Sequence, residues 1–551
     1  MNRSLRHVLL GAVILLAIIL RFYSLGQIPL SLSWDEVSLG YNAFSVLTNG
    51  QDEHGTLLPI SNFPAFGDFK PPGYIYTAVI SVWMFSLNEF AVRLPSAVAG
   101  VLAVLVVYLL VRELFRTKTS SIINYVALGS SFMLAISPWH INLSRTGFEA
   151  NLANLLVLLG LFYLVRWLNL VKSNETNLMR LFVSLVLSSM LLVLALYTFN
   201  SIRIFIPVLL IIIGSLFWKH IIRHYKMCIA VGLLSLLIIS PLIPHLTSSE
   251  GKLRFQEVNI FTDLEPVKIS NQRIETHGGS VFAKLLHNRR VLFGVEVARH
   301  YLDNFNPNFL FINGDGNPKF STRDVGQLYL WSLPFLFLGM YFLVKNKQGS
   351  WYLVLIWLGV GVLPASIARE TPHALRIENT LPMWQIIVAY GFVNVMLKIK
   401  SYPLKRVLLF VLGLALVINA AYYIHGYYRY YPVEFAGSWQ WGYREAIQEI
   451  QPLKKNYDVI RITESIGRPY IYVLFYEQYD PIMYNKTVDR RQDVYGFYHV
   501  DGFDKYEFGD ELESDVGKLL YVQHPGSVPP EANIISTIQY PAGDTALVIY
   551  D

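Results

Sequence analysis

The chain has a single cysteine, Cys228, in 551 residues, which excludes an internal disulfide framework. Charge is scarce as well. Only 15% of residues are charged against 53% hydrophobic, and a mean hydropathy of +0.39 excludes a soluble globular protein of this length. Walker, glycine-rich dinucleotide and zinc-type spacings are missing, so a nucleotide-driven pump and a dehydrogenase have no support. Internal repeats and low-complexity linkers are absent too. The net charge of +6 and pI near 9.0 come with no recognisable nucleic-acid module, so no nucleic-acid partner is expected.

What the chain has in abundance is apolar runs of about twenty residues, the length that crosses roughly 30 Å of hydrocarbon at 1.5 Å per residue. Eleven spans are expected, at 7–23, 93–112, 121–138, 150–169, 181–197, 204–218, 227–246, 327–344, 351–368, 379–397 and 405–424. The first runs through Arg21-Phe22-Tyr23 into a polar loop with no small-residue cleavage pattern, and reads as an anchor. A twelfth apolar stretch, 73–87, decides the topology, because counting it as a crossing reverses the side of everything after it. If it lies along the outer face, the short inner connections carry Arg112, Arg116 and Lys118, then Arg166, Lys172 and Arg180, then Lys219, Arg223 and Lys226, with Lys345, Lys347 and Lys398 to Arg406 later. Almost no acid accompanies them, which is the positive-inside pattern. The stretch 73–87 is therefore read as juxtamembrane or re-entrant. The basic residues are explained by topology, with the N-terminus cytoplasmic.

That parity gathers the unusual segments on the outer face. The expected architecture is an all-α polytopic membrane domain over 1–428, with about eleven transmembrane helices plus juxtamembrane helices and outer loops at 24–72 and 247–326. A small extracytoplasmic α/β domain follows over 429–551. In it a helix is expected near 440–451, a strand at 458–463, a short helix at 469–478 and strands at 518–522 and 545–550.

The first outer loop carries the chemistry. Trp34-Asp35-Glu36 opens it and Asp68-Phe69-Lys70-Pro71-Pro72 closes it. On a short helix, adjacent acids project about 100° apart, so one faces a cleft while the other caps or pairs with a basic group. A carboxylate that takes a proton from an acceptor hydroxyl is worth about 10²–10⁴ in rate. Lys70 beside Asp68 suits a phosphate leaving group, since an ammonium stabilises the charge that grows as a glycosyl-phosphate bond breaks. Arg145, Arg203, His373 and Arg376 all stand at outer ends of spans, and arginine forks grip phosphate oxygens at two points. The bland readings are an interfacial helix cap for Asp35, headgroup contacts for the arginines, a plain turn at Pro372-His373 and an Arg145 partner for Glu149. Asn313-Gly314-Asp315-Gly316-Asn317 has no closing acid and reads as a tight turn rather than a cation loop.

The order of these parts carries a resemblance. An N-terminal span, a Trp-Asp-Glu outer loop, an Asp-x-Lys-Pro-Pro element, Phe90-Ala91-Val92-Arg93-Leu94-Pro95-Ser96 leading into a span, and later spans before an outer domain resemble the C-type glycosyltransferase (GT-C) superfamily. Within it the chain is similar to the protein O-mannosyltransferase and lipid A aminoarabinose transferase group, over about 1–425 and most specifically 20–115. The resemblance implies a sugar donor on a polyprenyl monophosphate, transfer outside the cytoplasm to a hydroxyl of a protein, lipid or cell-surface glycan, and inversion at the anomeric carbon. Asp35 matches the family's presumed base, Glu36 its neighbour, and Asp68 the second acid of an Asp-x-His-Pro-Pro motif in which Lys70 replaces the histidine. Lys70 also matches the phosphate-contacting lysine of a Glu-Lys-Pro element, whose acid is displaced by one position from Asp68. Some members of the superfamily hold a divalent metal, but the mannosyltransferase branch does not obviously need one, so no metal site and no cofactor is expected here.

The rival classes are a polyprenyl-lipid transporter or flippase and an assembly scaffold. A transporter needs ionisable groups partway through its spans, and here the charges cluster at span ends. A scaffold using 422–431 leaves the acid-bearing loop unexplained. Loop sizes and the lack of disulfides lean towards a bacterial cell membrane.

Overall fold

The computed structural model describes residues 2–116, 120–248, 251–252, 258–493, 497–510 and 517–551. Lys118 and residues 249–250 and 253–257 of the long outer loop lie outside this set, as do 494–496 and 511–516 of the tail.

The protein is mainly helical. Among the described residues, seven helices are long and apolar enough to cross a membrane: Arg3–Phe22, Glu89–Leu114, Glu149–Lys172, Leu178–Leu196, Tyr225–Thr247, Glu378–Lys398 and Tyr402–Arg429. Ile122–Ala135 and Pro138–Ser144 are together long and apolar enough for an eighth but bend by 56° at their break, the form of a broken span or a re-entrant loop. Proline at 138 lacks an amide hydrogen and cannot continue the preceding ladder. Each expected span falls on an apolar helix, but those at 204–218, 327–344 and 351–368 fall on the shorter helices Ile202–Leu216, Leu330–Asn346 and Trp351–Ser366. At 1.5 Å per residue these reach only about 23–26 Å. The segment Pro72–Phe85 is an apolar helix of 14 residues.

By contacts the chain falls into two compact units. The first comprises residues 1–20, 100–142 and 153–420 and is helical. Its tightest packing joins Leu333–Asn346 to Met383–Lys398 through glycines. A Cβ on Gly391 would meet the Phe335 carbonyl oxygen at 2.1 Å, and one on Gly339 would meet that of Ile387 at 2.0 Å. Backbones this close need small residues, as in other apolar helix pairs.

The second unit comprises 21–99, 143–152 and 421–551. It holds the helix Trp34–Asn49, a hairpin of β1 (Phe63–Ala65) and β2 (Asp68–Lys70), the helix Pro72–Phe85 and the C-terminal sheet. That sheet has the order β4-β5-β6-β3-β7-β9-β8, with β3 Val459–Ile462, β4 Asp489–Gln492, β5 Tyr498–Phe503, β6 Tyr506–Phe508, β7 Leu519–Gln523, β8 Ile534–Gln539 and β9 Thr545–Tyr550. β3 runs parallel to β6 and β7, and the other pairs are antiparallel. The helices Tyr443–Ile450, Pro469–Tyr476 and Pro481–Thr487 belong to the same α/β region. The five tail elements expected from sequence are present within a few residues of their expected bounds, and β4, β5, β6 and β8 are additions. One hydrophobic core runs through this unit: Val37, Tyr41 and Ile75 share it with Ile460, Ile471, Val522 and Ile549. Segments 24–72 and 429–551, far apart in sequence, thus pack as one body.

Candidate functional site

The helix that carries the two loop acids begins at a capping box. The Ser33 side chain accepts from the Glu36 amide at 3.4 Å, and Glu36 Oε2 accepts from the Ser33 amide at 3.0 Å. This satisfies two of the four amide donors that a helix start leaves open. Glu36 is fully buried, and its Oε1 also accepts from Arg93 Nε at 2.9 Å and from the Gly147 amide at 2.8 Å. Arg93 spends its remaining donors on the carbonyls of Leu25, Pro29 and Ser31. Glu36, expected among the catalytic acids, stands here as the capping and pairing member of the two. Its oxygens are taken up by fixed donors, and no face meets solvent.

Asp35 points elsewhere. Its side chain is 33% exposed, and Oδ1 accepts from Lys70 Nζ at 2.6 Å. The lysine is delivered by the hairpin. Phe66-Gly67 forms a two-residue loop with Gly67 at φ 75°, a conformation that glycine adopts without a Cβ clash. Alternation along β2 then sends Asp68 and Lys70 to one face and Phe69 to the other. Pro71-Pro72 ends the strand and starts the next helix, since proline suits a helix's first turn.

Lys70 is buried, and Asp68 Oδ2 stands 3.8 Å from its Nζ. Burial by itself lowers an ammonium's pKa, but here the opposing fields of Asp35, Glu149 and Asp68 outweigh it and hold the group above the usual lysine range. Glu149 is the residue that sequence reasoning left aside as a possible Arg145 partner. The fold instead sets it among the carboxylates acting on Lys70, and it is buried. Its only sequence signal is its place at the start of a span. Tyr472 closes this neighbourhood from the C-terminal domain, its hydroxyl donating to the Leu32 carbonyl at 2.9 Å.

Arg145, expected at the donor phosphate, is held by backbone carbonyls and tyrosines. It is fully buried, with Nη1 donating to the Arg21 carbonyl at 3.1 Å and Nη2 to those of Ser24 and Ile28 at 3.3 Å. Nε donates to the Tyr427 hydroxyl at 3.2 Å, and the guanidinium lies over the rings of Tyr427 and Tyr428. Its donors are committed and enclosed.

Arg203, His373 and Arg376 belong to the first unit. Arg203 donates to the Leu196 carbonyl at 3.1 Å. His373 lies against Phe320, with 4.9 Å between ring centroids, and Arg376 donates to the Glu370 carbonyl at 3.1 Å. Asp315 braces this loop, accepting from the Ala374 amide at 2.7 Å and the Asn317 amide at 2.8 Å. Burial pushes its carboxyl up to about 6 against those two hydrogen bonds. The bond to Asn317 closes a turn of the kind the sequence predicts. Among the described residues no group of three or more His, Cys, Asp or Glu side chains is placed to hold a metal.

With this geometry in hand, three likenesses bear on the chain. Residues 69–245 match the family model described as dolichyl-phosphate-mannose-protein mannosyltransferase. ArnT from Cupriavidus metallidurans bound to undecaprenyl phosphate is similar in structure, with a TM-score of 0.55 at 12% identity over 100% of this chain and 98% of that one. The oligosaccharyltransferase AglB from Archaeoglobus fulgidus, in complex with an inhibitory peptide and a dolichol-phosphate, gives a TM-score of 0.51 at 13% identity over 85% of this chain. The chain spans 63% of the length of that archaeal enzyme. No curated protein matches in sequence. The fold, a multi-pass helical body with a C-terminal α/β region, is shared with these two membrane glycosyltransferases.

Proposed function

We propose that the protein is a membrane glycosyltransferase that takes a sugar from a polyprenyl-phosphate donor and places it, with inversion, on a hydroxyl of an acceptor outside the cytoplasm. The observation that carries this reading is the buried Lys70 ammonium 2.6 Å from the half-buried Asp35 carboxylate. A lysine offers three donors. One orients Asp35, and the others are available to the oxygens of a phosphate. In the resting protein the carboxylates offset the ammonium's charge. When a donor phosphate engages Lys70, the pull on Asp35 is shared, and the carboxylate is better able to take the proton of an incoming hydroxyl. That hydroxyl oxygen then bonds to the anomeric carbon as the bond to phosphate breaks, and the charge on the leaving phosphate meets Lys70. Asp68 and Glu149 hold the ammonium in place and complete its field. Glu36 and Arg145 are positioning residues in this scheme.

The positive-inside pattern supports an orientation with the N-terminus in the cytoplasm and the loop-plus-sheet body outside. Binding a lipid donor and a polar acceptor at one interface lowers the entropic barrier to their encounter.

The test is transfer of labelled sugar from a panel of polyprenyl-phosphate donors into membrane extracts by the purified full-length protein. Label that appears with wild type and fails with Lys70→Gln supports the reading. No transfer from any donor, in protein shown to bind undecaprenyl phosphate, overturns it in favour of lipid transport.

A further inference from the structure

Arg468 stands directly before the helix Pro469–Tyr476, after Gly467. Its guanidinium lies over the Phe66 ring, 5.7 Å from the centroid. Phe66 is buried and meets the Tyr470 ring edge-on at 6.2 Å between centroids, so the platform under the guanidinium is fixed from both sides. A Cβ on Gly67 would lie 3.8 Å from the Phe497 ring and 4.0 Å from Arg468 Nη2, so the guanidinium stands at the hairpin tip beside Phe497. Gly467 fixes the backbone, at φ 150° with Trp34 against its α-carbon.

The side chain is half-buried, yet among the described residues no acceptor or carboxylate engages it. The other arginines near the first loop contrast with it: Arg93 and Arg145 are saturated by carbonyls, a carboxylate and a hydroxyl. A partly exposed guanidinium that is held over a ring keeps its five directional donors free for a ligand's acceptors.

The hairpin gives its place relative to the candidate site. Arg468 is at the tip, beside Phe66 and Gly67, and Lys70 is at the base of the same short strand. Three residues of strand separate these backbone positions by about 10 Å, and the two cations keep different company: Lys70 pairs with Asp35 and Asp68, whereas Arg468 stacks on Phe66.

We propose that Arg468 binds an oxyanion of the acceptor, a carboxylate or a phosphate, and so makes the C-terminal domain a specificity element of the transferase. This rests on the donor phosphate occupying Lys70, as proposed above. Stacking on Phe66 holds the planar fork, which then meets a two-oxygen anion edge-on.

The experiment titrates glycerol phosphate, and separately acetate, into the full-length protein in detergent at constant ionic strength with undecaprenyl phosphate present. Binding is read by calorimetry. Wild type is expected to bind one of the two anions saturably. In Arg468→Gln that affinity falls roughly tenfold or more, the change expected from losing a charge-assisted hydrogen bond, and Arg468→Lys recovers part of it. The affinity for undecaprenyl phosphate stays as in wild type for Arg468→Gln and falls for Lys70→Gln. Equal anion binding by wild type and Arg468→Gln, or no saturable binding of either anion by wild type, overturns the proposal. Loss of undecaprenyl phosphate binding in wild type itself overturns the donor reading instead, and the glycerol phosphate comparison still decides the arginine. Which anion binds distinguishes an acidic side chain or uronate from a phosphorylated acceptor.

Discussion

Glu36 and Arg93 are both fully buried and joined at 2.9 Å, the carboxylate closing a helix cap and the guanidinium tying down the carbonyls of residues 25–31. The pair fixes where the helix Trp34–Asn49 begins, and Asp35 is the next residue inside that start. Breaking a buried pair from one side leaves an uncompensated charge, at about 3–5 kcal/mol. Arg93→Leu is therefore expected to lower the thermal midpoint in detergent sharply, with Glu36→Gln doing the same. Midpoints unchanged from wild type would remove the pair from this role.

Arg145 gives a contrasting prediction. As a staple between the chain at 21–28 and Tyr427, it supports the fold more than the donor. Arg145→Gln is expected to lose at least about 2 kcal/mol of stability, since several buried carbonyls lose a charged donor. Donor affinity measured on the folded fraction stays near wild type. A fully stable variant with weakened donor binding would restore Arg145 to the phosphate.

These two arginines show what was legible in the sequence and what was not. Apolar length revealed the helices, and alternation and turn residues revealed β3, β7 and β9, because both signals are local. The spacing Asp68-x-Lys70 and the adjacency of Asp35 and Glu36 pointed to side chains that the fold brings together, Lys70 with Asp35 and Asp68. Which acid faces outward depended on Arg93 and Gly147, 57 and 111 residues away, and no periodicity reports such contacts. Arg145 drew attention because it stands at a span end, and its contacts with the carbonyls of 21–28 and with Tyr427 had no signal in the sequence. β4 was missed since Asp489-Arg490-Arg491-Gln492 is a charged, largely exposed edge without apolar alternation. Glu149 became informative only once Lys70 was seen beside it.

Gly467 tests the contact between the C-terminal domain and the first loop. A Cβ there would lie 2.7 Å from Trp34 Cε3 on a backbone at φ 150°. Gly467→Ala is expected to cost about 1–3 kcal/mol through strain and displacement of the indole. Thermal unfolding beside a Trp34→Phe control checks this, and an unaltered midpoint would show that the contact is dispensable.

Lys70 makes a prediction about pH. Its folded pKa is raised above the unfolded value, so its stabilising contribution is complete below the ordinary lysine pKa and is lost only as pH rises through the higher folded value. In a Glu149→Gln background, where no second buried carboxyl titrates against the lysine, the stability difference between Lys70 and Lys70→Met should then be flat from about pH 6 to about pH 9. A difference that declines steadily across that window would mean the ammonium is not held by its carboxylates.

The most direct test of the central claim is single-turnover transfer by Asp35→Asn at saturating donor, with donor binding measured on the same preparation. The account predicts donor affinity within a fewfold of wild type and a transfer rate lower by about 10² or more, the size of a lost general base. Transfer at close to the wild-type rate, with the donor bound normally, would contradict it and move the base elsewhere among the carboxylates around Lys70.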